Sequence, residues 1–297
     1  MLYGRERFYM DRQIIVITAD ERQEKLVSLM HGIKKRCSLE EYQREQARNN
    51  GFGERIYVLP IPVTKLERKD DVTKKLKEEL INHKDCVACV MGGVFTKDWK
   101  TFFEEQAIFY IDLMELSDVV EGNAWITAEA TLAEVILHSA YSIRGQRVLV
   151  TGYGACGSKI AKLFSGVGAK VVVAARREEV RQVARTDGFE AIDFAKLKNR
   201  MGEFYTIINT VPAMVITEEL IQMLPKDALI IDIASKPGGC DFAAADQCGI
   251  KAKLALGLPG IYTTTSSAQI LKEAISKYAS LQDDVREEQL WIFQIVI

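Results

Sequence analysis

Short apolar runs separated by charged, helix-length stretches recur along the whole chain. QIIVIT at 13–18 reads as a buried strand, and the following ADERQEKLVSLMHGIKK predicts a helix entered at Asp20. Strand-like runs return at 55–59, 84–91, 107–111, 148–150, 171–173, 189–192, 205–209 and 229–233, and KAKLALGLPG supplies one more. Such alternation of strand and helix predicts parallel sheet covered on both faces, with ligands beyond the carboxyl ends of the strands. Ile126, Ala130, Ala133, Ile136, Leu137 and Ala140 recur at helical spacing, so EGNAWITAEATLAEVILHSAY predicts one long helix with Asn123, Thr127 and Glu129 at its start. Residues 40–54 read as a polar helix and turn, and an amphipathic helix is expected from about Ser266 to Leu281. In the tail REEQLWIFQIVI, Trp291, Phe293 and Ile295 require cover that the local sequence does not name.

A chain of 297 residues lies where single cores stop growing, so two domains are expected. The fold class is α/β: a smaller flavodoxin-like domain over 1–120, completed by about 266–297, a linking helix over 121–142, and a Rossmann dinucleotide-binding domain over 143–265. A net charge of −2 gives no support to nucleic-acid or membrane-surface binding. No apolar run reaches membrane-span length and the charged N-terminus lacks a signal-peptide core, so a cytoplasmic protein with reduced thiols is expected. Cys86 and Cys89 form a lone CxxC inside an apolar run, without a second pair or a histidine at zinc spacing. It reads as core packing, and no metal is expected.

The densest signal is GQRVLVTGYGACGSKIAKLFSGVGAKVVVAAR at 145–176. Strand, glycine turn, helix and second strand follow in the order a dinucleotide site needs. Gly152 permits the tight turn, Gly154 lets backbone N–H groups of Ala155 and Cys156 approach a pyrophosphate, and Gly157 lets the helix pack on the strand. The second strand ends in Ala174, Ala175, Arg176 and Arg177, where an NAD site usually carries a carboxylate. A carboxylate would repel a ribose 2′-phosphate by about 4 kcal/mol at 4 Å and an effective dielectric of 20, whereas an arginine attracts it. The reading is NADP ahead of NAD; the alternative is that both arginines only begin the next helix.

Other strand ends carry polar loops: Asp20, Arg22 and Gln23; Pro60 to Thr64; Gly92 and Gly93; Asn209 to Pro212; and Ala234 to Gly239. Thr210, Val211 and Pro212 are placed to line the nicotinamide half of a cofactor. Taken together, DERQ, LPIP, NAWITAEA, the GYGACG turn, NTVPA, IIDIASKPGGCDF, and GLPG before an SSAQI helix start resemble the family of dipicolinate synthase A subunits, from sporulating bacteria. The resemblance is nearly end to end and implies NADP-dependent oxidation of a dihydrodipicolinate-type ring, in the mother cell, with the dipicolinate synthase B subunit as partner. A homo-oligomer is also expected. The chain departs from the family at Thr265, where a lysine is usual, and at Thr18 and Ala19, which stand in place of two glycines before Asp20. Loss of a lysine–carboxylate bond costs roughly 1.5–3 kcal/mol, and Lys236 or Arg22 is available to replace it.

On this reading hydride leaves a small carboxylated ring held in an interdomain cleft, and aromatisation helps drive the step. Arg22 and Lys236 anchor the carboxylates, Asn123, Thr127, Ser235 and Gly92 contact the substrate, and Glu129 or Asp20 removes the ring proton. Bland readings stand beside these: Asp20 as an N-cap, Lys236 as a surface charge, Glu129 as a carboxylate favoured by the helix dipole. Two other functions stay open. One is a shikimate- or alanine-dehydrogenase-like enzyme of another small acid; the other is a non-catalytic NADP-binding sensor.

Overall fold

A computed structural model describes residues 12–48, 54–278 and 290–297. Its strands run in chain order as β1 (Arg12–Thr18), β2 (Ile33–Cys37), β3 (Arg55–Val58), β4 (Val87–Gly92), β5 (Tyr110–Asp112) and β6 (Arg147–Thr151). They continue as β7 (Lys170–Ala174), β8 (Glu190–Ile192), β9 (Thr206–Asn209), β10 (Leu229–Asp232), β11 (Lys251–Leu254) and β12 (Leu290–Val296). The chain divides into two compact units, Met1–Val120 with Thr264–Ile297, and Glu121–Thr263.

The first unit is a parallel sheet of order β2-β12-β1-β3-β4-β5. Without β12 this is the flavodoxin-like order 2-1-3-4-5. The C-terminal strand slides between β1 and β2, pairing Ile14 with Ile292 and Lys35 with Phe293. Because side chains alternate along a strand, Ile14 and Val16 enter one apolar layer with Ile56, Leu271 and Ile292. Ile15 and Ile17 enter the opposite layer with Tyr57, Trp99, Phe103, Phe293 and Ile295. The run is apolar at every position from Ile14 to Ile17 because both of its faces are covered.

Three local expectations change. The first helix stops at Leu29, Gly32 adopts φ +124, and Ile33–Cys37 forms β2 rather than further helix. Lys34 and Arg36 are exposed on this edge strand, where charge discourages further pairing. The expected strand at 84–91 begins with a 3-10 turn at Lys84–Cys86, and that at 107–111 shrinks to Tyr110–Asp112 after a left-handed Ala107. The polar helix is Leu39–Arg48, its following turn at 49–53 lies outside the described residues, and so does the segment beyond Tyr278 where the last helix was expected to end.

The second unit is a parallel sheet of order β11-β10-β9-β6-β7-β8. Read from its far edge, with β6 as the first strand of the unit, β7 and β8 lie to one side and β9, β10 and β11 to the other, which is the Rossmann order 3-2-1-4-5-6. The long helix is Ser117–His138, beginning earlier than its apolar spacing suggests. It buries Ala128, Ala130 and Val135, while Ile136 and Leu137 are 63% and 67% exposed. Asn123, Thr127 and Glu129 therefore lie inside the helix rather than at its start, and the dipole argument for Glu129 no longer applies.

Candidate functional site

The glycine turn joins β6 to the helix Ala155–Gly166. Gly152 holds φ +84, and a Cβ there would stand 2.6 Å from Thr210 Oγ1. At Gly157 a Cβ would stand 2.4 Å from the carbonyl oxygen of Gly152, so helix and strand approach closer than any side chain allows. Gly154 is the N-cap, and nothing lies within 4 Å of where its Cβ would be. A helix N-terminus with unsatisfied N–H groups thus faces open space, which fits a pyrophosphate. The neighbouring Cys156 thiol bonds Thr127, and burial pushes its pKa up.

A cavity of about 350 Å³ opens from this turn. It brings together Gly152, Gly154, Arg176, Arg177 and Val211 with Phe194, which sequence reasoning missed. Both arginines are exposed and Arg177 caps the next helix, so the helix-start reading and the cofactor reading coexist at that residue. A third arginine, also missed, positions the strand end. Arg181 Nη1 donates to the carbonyls of Ala175 (2.7 Å) and Arg176 (2.6 Å) and to Asp193 Oδ2 (2.5 Å). Its sequence signal was helical spacing from Arg177.

The loops after β9 and β10 are locked together by buried polar groups. Asn209 Nδ2 donates to Asp232 Oδ1 at 2.8 Å, Thr151 Oγ1 donates to Asn209 Oδ1 at 2.5 Å, and all three residues are fully buried. Asp232 also accepts from the N–H groups of Ala234 (3.0 Å) and Gly239 (2.7 Å). A Cβ at Gly239 would meet the carbonyl oxygens of Val211 at 2.4 Å and Ala213 at 2.5 Å. NTVP and SKPGG are therefore one packed unit. Ser235 and Lys236 both stand exposed at its rim, beside the buried Ala234. Thr210 Oγ1 donates to the Thr151 carbonyl at 2.7 Å, and Pro212 is exposed.

In the first unit Asp20 is an N-cap, accepting from Gln23 N at 3.0 Å, and it also pairs with Lys65. Arg22 is 7% exposed, with Nη2 donating to the Ile61 carbonyl at 2.9 Å and Nη1 to Ser267 Oγ at 3.4 Å. Gly92 is buried, where a Cβ would strike the Phe95 ring at 2.6 Å. In the second unit Asn123 is buried and accepts at its carbonyl from Thr127 Oγ1 at 2.7 Å, whereas Glu129 is exposed.

Over 204 residues the chain is 32% identical to the A subunit of dipicolinate synthase from Bacillus subtilis (strain 168), spanning 68% of each sequence. The chain belongs to the family of dipicolinate synthase A subunits. The crystal structure of the Bacillus halodurans member superposes with a TM-score of 0.74 at 25% identity, covering 93% of this chain and 99% of that one. The Bacillus subtilis member has the same fold, with a TM-score of 0.75 at 24% identity over 91% of this chain and 96% of that one. Residues 112–236 match the D-isomer specific 2-hydroxyacid dehydrogenase, NAD binding domain. For this member of the dipicolinate synthase family, the match supports an oxidoreductase that uses a nicotinamide dinucleotide. Among the described residues no helix is long and apolar enough to cross a membrane.

Proposed function

We propose that the protein is the A subunit of a dipicolinate synthase, which oxidises a dihydrodipicolinate-type ring to dipicolinate with NADP, together with the B subunit, during sporulation. The observation that carries this reading is the 32% identity with the Bacillus subtilis relative over two thirds of both chains. The cofactor lies along the glycine turn, Ala155, Cys156 and the N-terminus of the following helix, with Thr210, Val211 and Pro212 beside its nicotinamide half. Arg176 and Arg177 flank the cavity and supply the positive charge that a 2′-phosphate selects. A dinucleotide held there would supply the hydride acceptor, and the ring would lose one proton as it becomes aromatic. Arg22 and Lys236 are the proposed carboxylate anchors, with Ser235, Asn123, Thr127 and Gly92 as substrate contacts. Asp20 or Glu129 is the proposed proton acceptor; of the two, Asp20 is already engaged by Lys65. Residues 1–120 with about 266–297 form the proposed substrate domain.

The test is to mix the protein with its B subunit, NADP and the dihydropyridine precursor of the lysine pathway. Pyridine absorbance and NADPH should rise together, and turnover of another small acid instead would favour a different dehydrogenase. That second reading has one observation behind it, the match of residues 112–236 to a 2-hydroxyacid dehydrogenase domain.

A further inference from the structure

Beside the dinucleotide cavity, Arg181 holds two strand ends at once. It lies on the helix Glu178–Thr186, and its side chain is only 12% exposed. One nitrogen, Nη1, donates to the carbonyls of Ala175 and Arg176, just past β7, and to Asp193 Oδ2, just past β8. Ala175, Arg176, Arg177 and Phe194 all line the cavity, so the oxygens gathered on Arg181 belong to residues in its wall or next to it.

Of these oxygens the carboxylate carries the most weight. A site that takes NAD places a carboxylate near the ribose 2′ position, and the same charge repels a 2′-phosphate. The end of β7 has no carboxylate of its own, reading Ala174, Ala175, Arg176, Arg177, but Asp193 reaches it from the following strand through Arg181. The Asp193 side chain is 35% exposed, and among the described residues Arg181 is the one cation paired with it. Glu178 differs, because Arg181 Nη2 and Arg185 Nη1 both stand 2.6 Å from its carboxylate, so it keeps a partner without Arg181. Asp193 Oδ1 meanwhile accepts from Ala195 N at 2.9 Å, which fixes the turn that carries Phe194. Loss of Arg181 would therefore release one negative charge and two carbonyl oxygens beside the two arginines that face the cavity.

We infer that Arg181 is a positioning residue that sets the choice between NADP and NAD: it cancels the Asp193 carboxylate and engages the Ala175 and Arg176 carbonyls, so that Arg176 and Arg177 dominate the charge at the cavity. This role rests on the NADP reading proposed above and accounts for how that same site tells the two dinucleotides apart. Arg181 need not touch the dinucleotide; it acts through the groups it neutralises. A cation of another shape at this position would keep the preference, whereas a neutral side chain of similar length would not.

Isothermal titration of the full chain with NADP and, separately, with NAD tests the role. Arg181→Met should weaken NADP about tenfold more than NAD, because a freed carboxylate acts on the 2′-phosphate and not on the 2′-hydroxyl. Arg181→Lys should keep the NADP preference within roughly threefold of wild type, since the charge remains. Adding Asp193→Asn to Arg181→Met should restore most of the lost preference, as the amide oxygen can still accept from Ala195 N while carrying no charge. Asp193→Asn alone, which should raise the preference about threefold, keeps the test open if Arg181→Met does not fold. Equal weakening of both dinucleotides by Arg181→Met, no recovery in the double variant, or no rise in preference with Asp193→Asn alone overturns the role. A wild-type protein that binds NAD as tightly as NADP would remove the NADP reading and this role with it; a wild-type preference for NADP that survives Arg181→Met would remove the role alone.

Discussion

Asp232 accepts the backbone N–H of Gly239 at 2.7 Å, and through that bond a strand end holds the loop that carries Ser235 and Lys236. Asp232→Ala would orphan this N–H and that of Ala234, and would leave the Asn209 amide with the Val211 carbonyl alone, all inside the protein. Each buried orphan costs about 1–3 kcal/mol, so a loss of about 3–5 kcal/mol is expected in urea denaturation. Dinucleotide affinity should fall with it, because Val211 belongs to the same packed loop pair.

Gly239→Ala should be nearly as damaging for a different reason. The added carbon meets two backbone carbonyl oxygens rather than flexible side-chain ends, so the two loops must separate. Overpacking of this kind costs about 1–3 kcal/mol. A melting curve and a dinucleotide titration on the same sample check it, and both should shift.

Arg176→Asp should weaken NADP far more than NAD. The side chain is exposed beside the cavity, so solvent screening reduces the ideal Coulomb energy, and a roughly ten- to hundredfold selective loss is expected. Titration with both dinucleotides decides the matter: equal weakening would contradict the 2′-phosphate assignment.

Glu134 anchors the end of the long helix to β11 and to Tyr262. Burial opposes its ionisation, yet Lys253 Nζ at 2.7 Å and Tyr262 Oη at 2.7 Å outweigh burial and hold its carboxyl below the usual range. A folded-state pKa below the unfolded one gives stability that is present above the unfolded value, about 4.3, and is lost as pH falls through the folded value. Glu134→Gln should therefore cost about 1–3 kcal/mol at neutral pH, with the difference shrinking below about pH 4. Denaturation of both proteins from neutral to acid pH measures it.

Elements defined by local chemistry were legible in the chain alone. The glycine turn could be read because Gly152 turns the chain at φ +84 and Gly157 abuts the Gly152 carbonyl, both within one short stretch. The arginine pair after β7 was legible because a strand end and a fixed distance from the turn define its place. β2 was not, since IKKRC has no strand periodicity and is a strand only because β12, from the far end of the chain, pairs with it. The long helix misled for a related reason: Ile136 and Leu137 repeat as an apolar face should, yet they stay exposed while Ala128, Ala130 and Val135 make the core contacts.

By itself, then, the order of residues determined two parallel α/β units, the dinucleotide turn and the family, because period, turn chemistry and motif spacing are written in neighbouring positions. Tertiary structure alone decided that the C-terminal strand completes the first sheet, that Arg181 and Asp232 hold the strand-end loops, and that Arg22 is buried against the Ile61 carbonyl and Ser267. These depend on residues far apart in the chain meeting in space, and burial and pairing of charge are properties of that meeting.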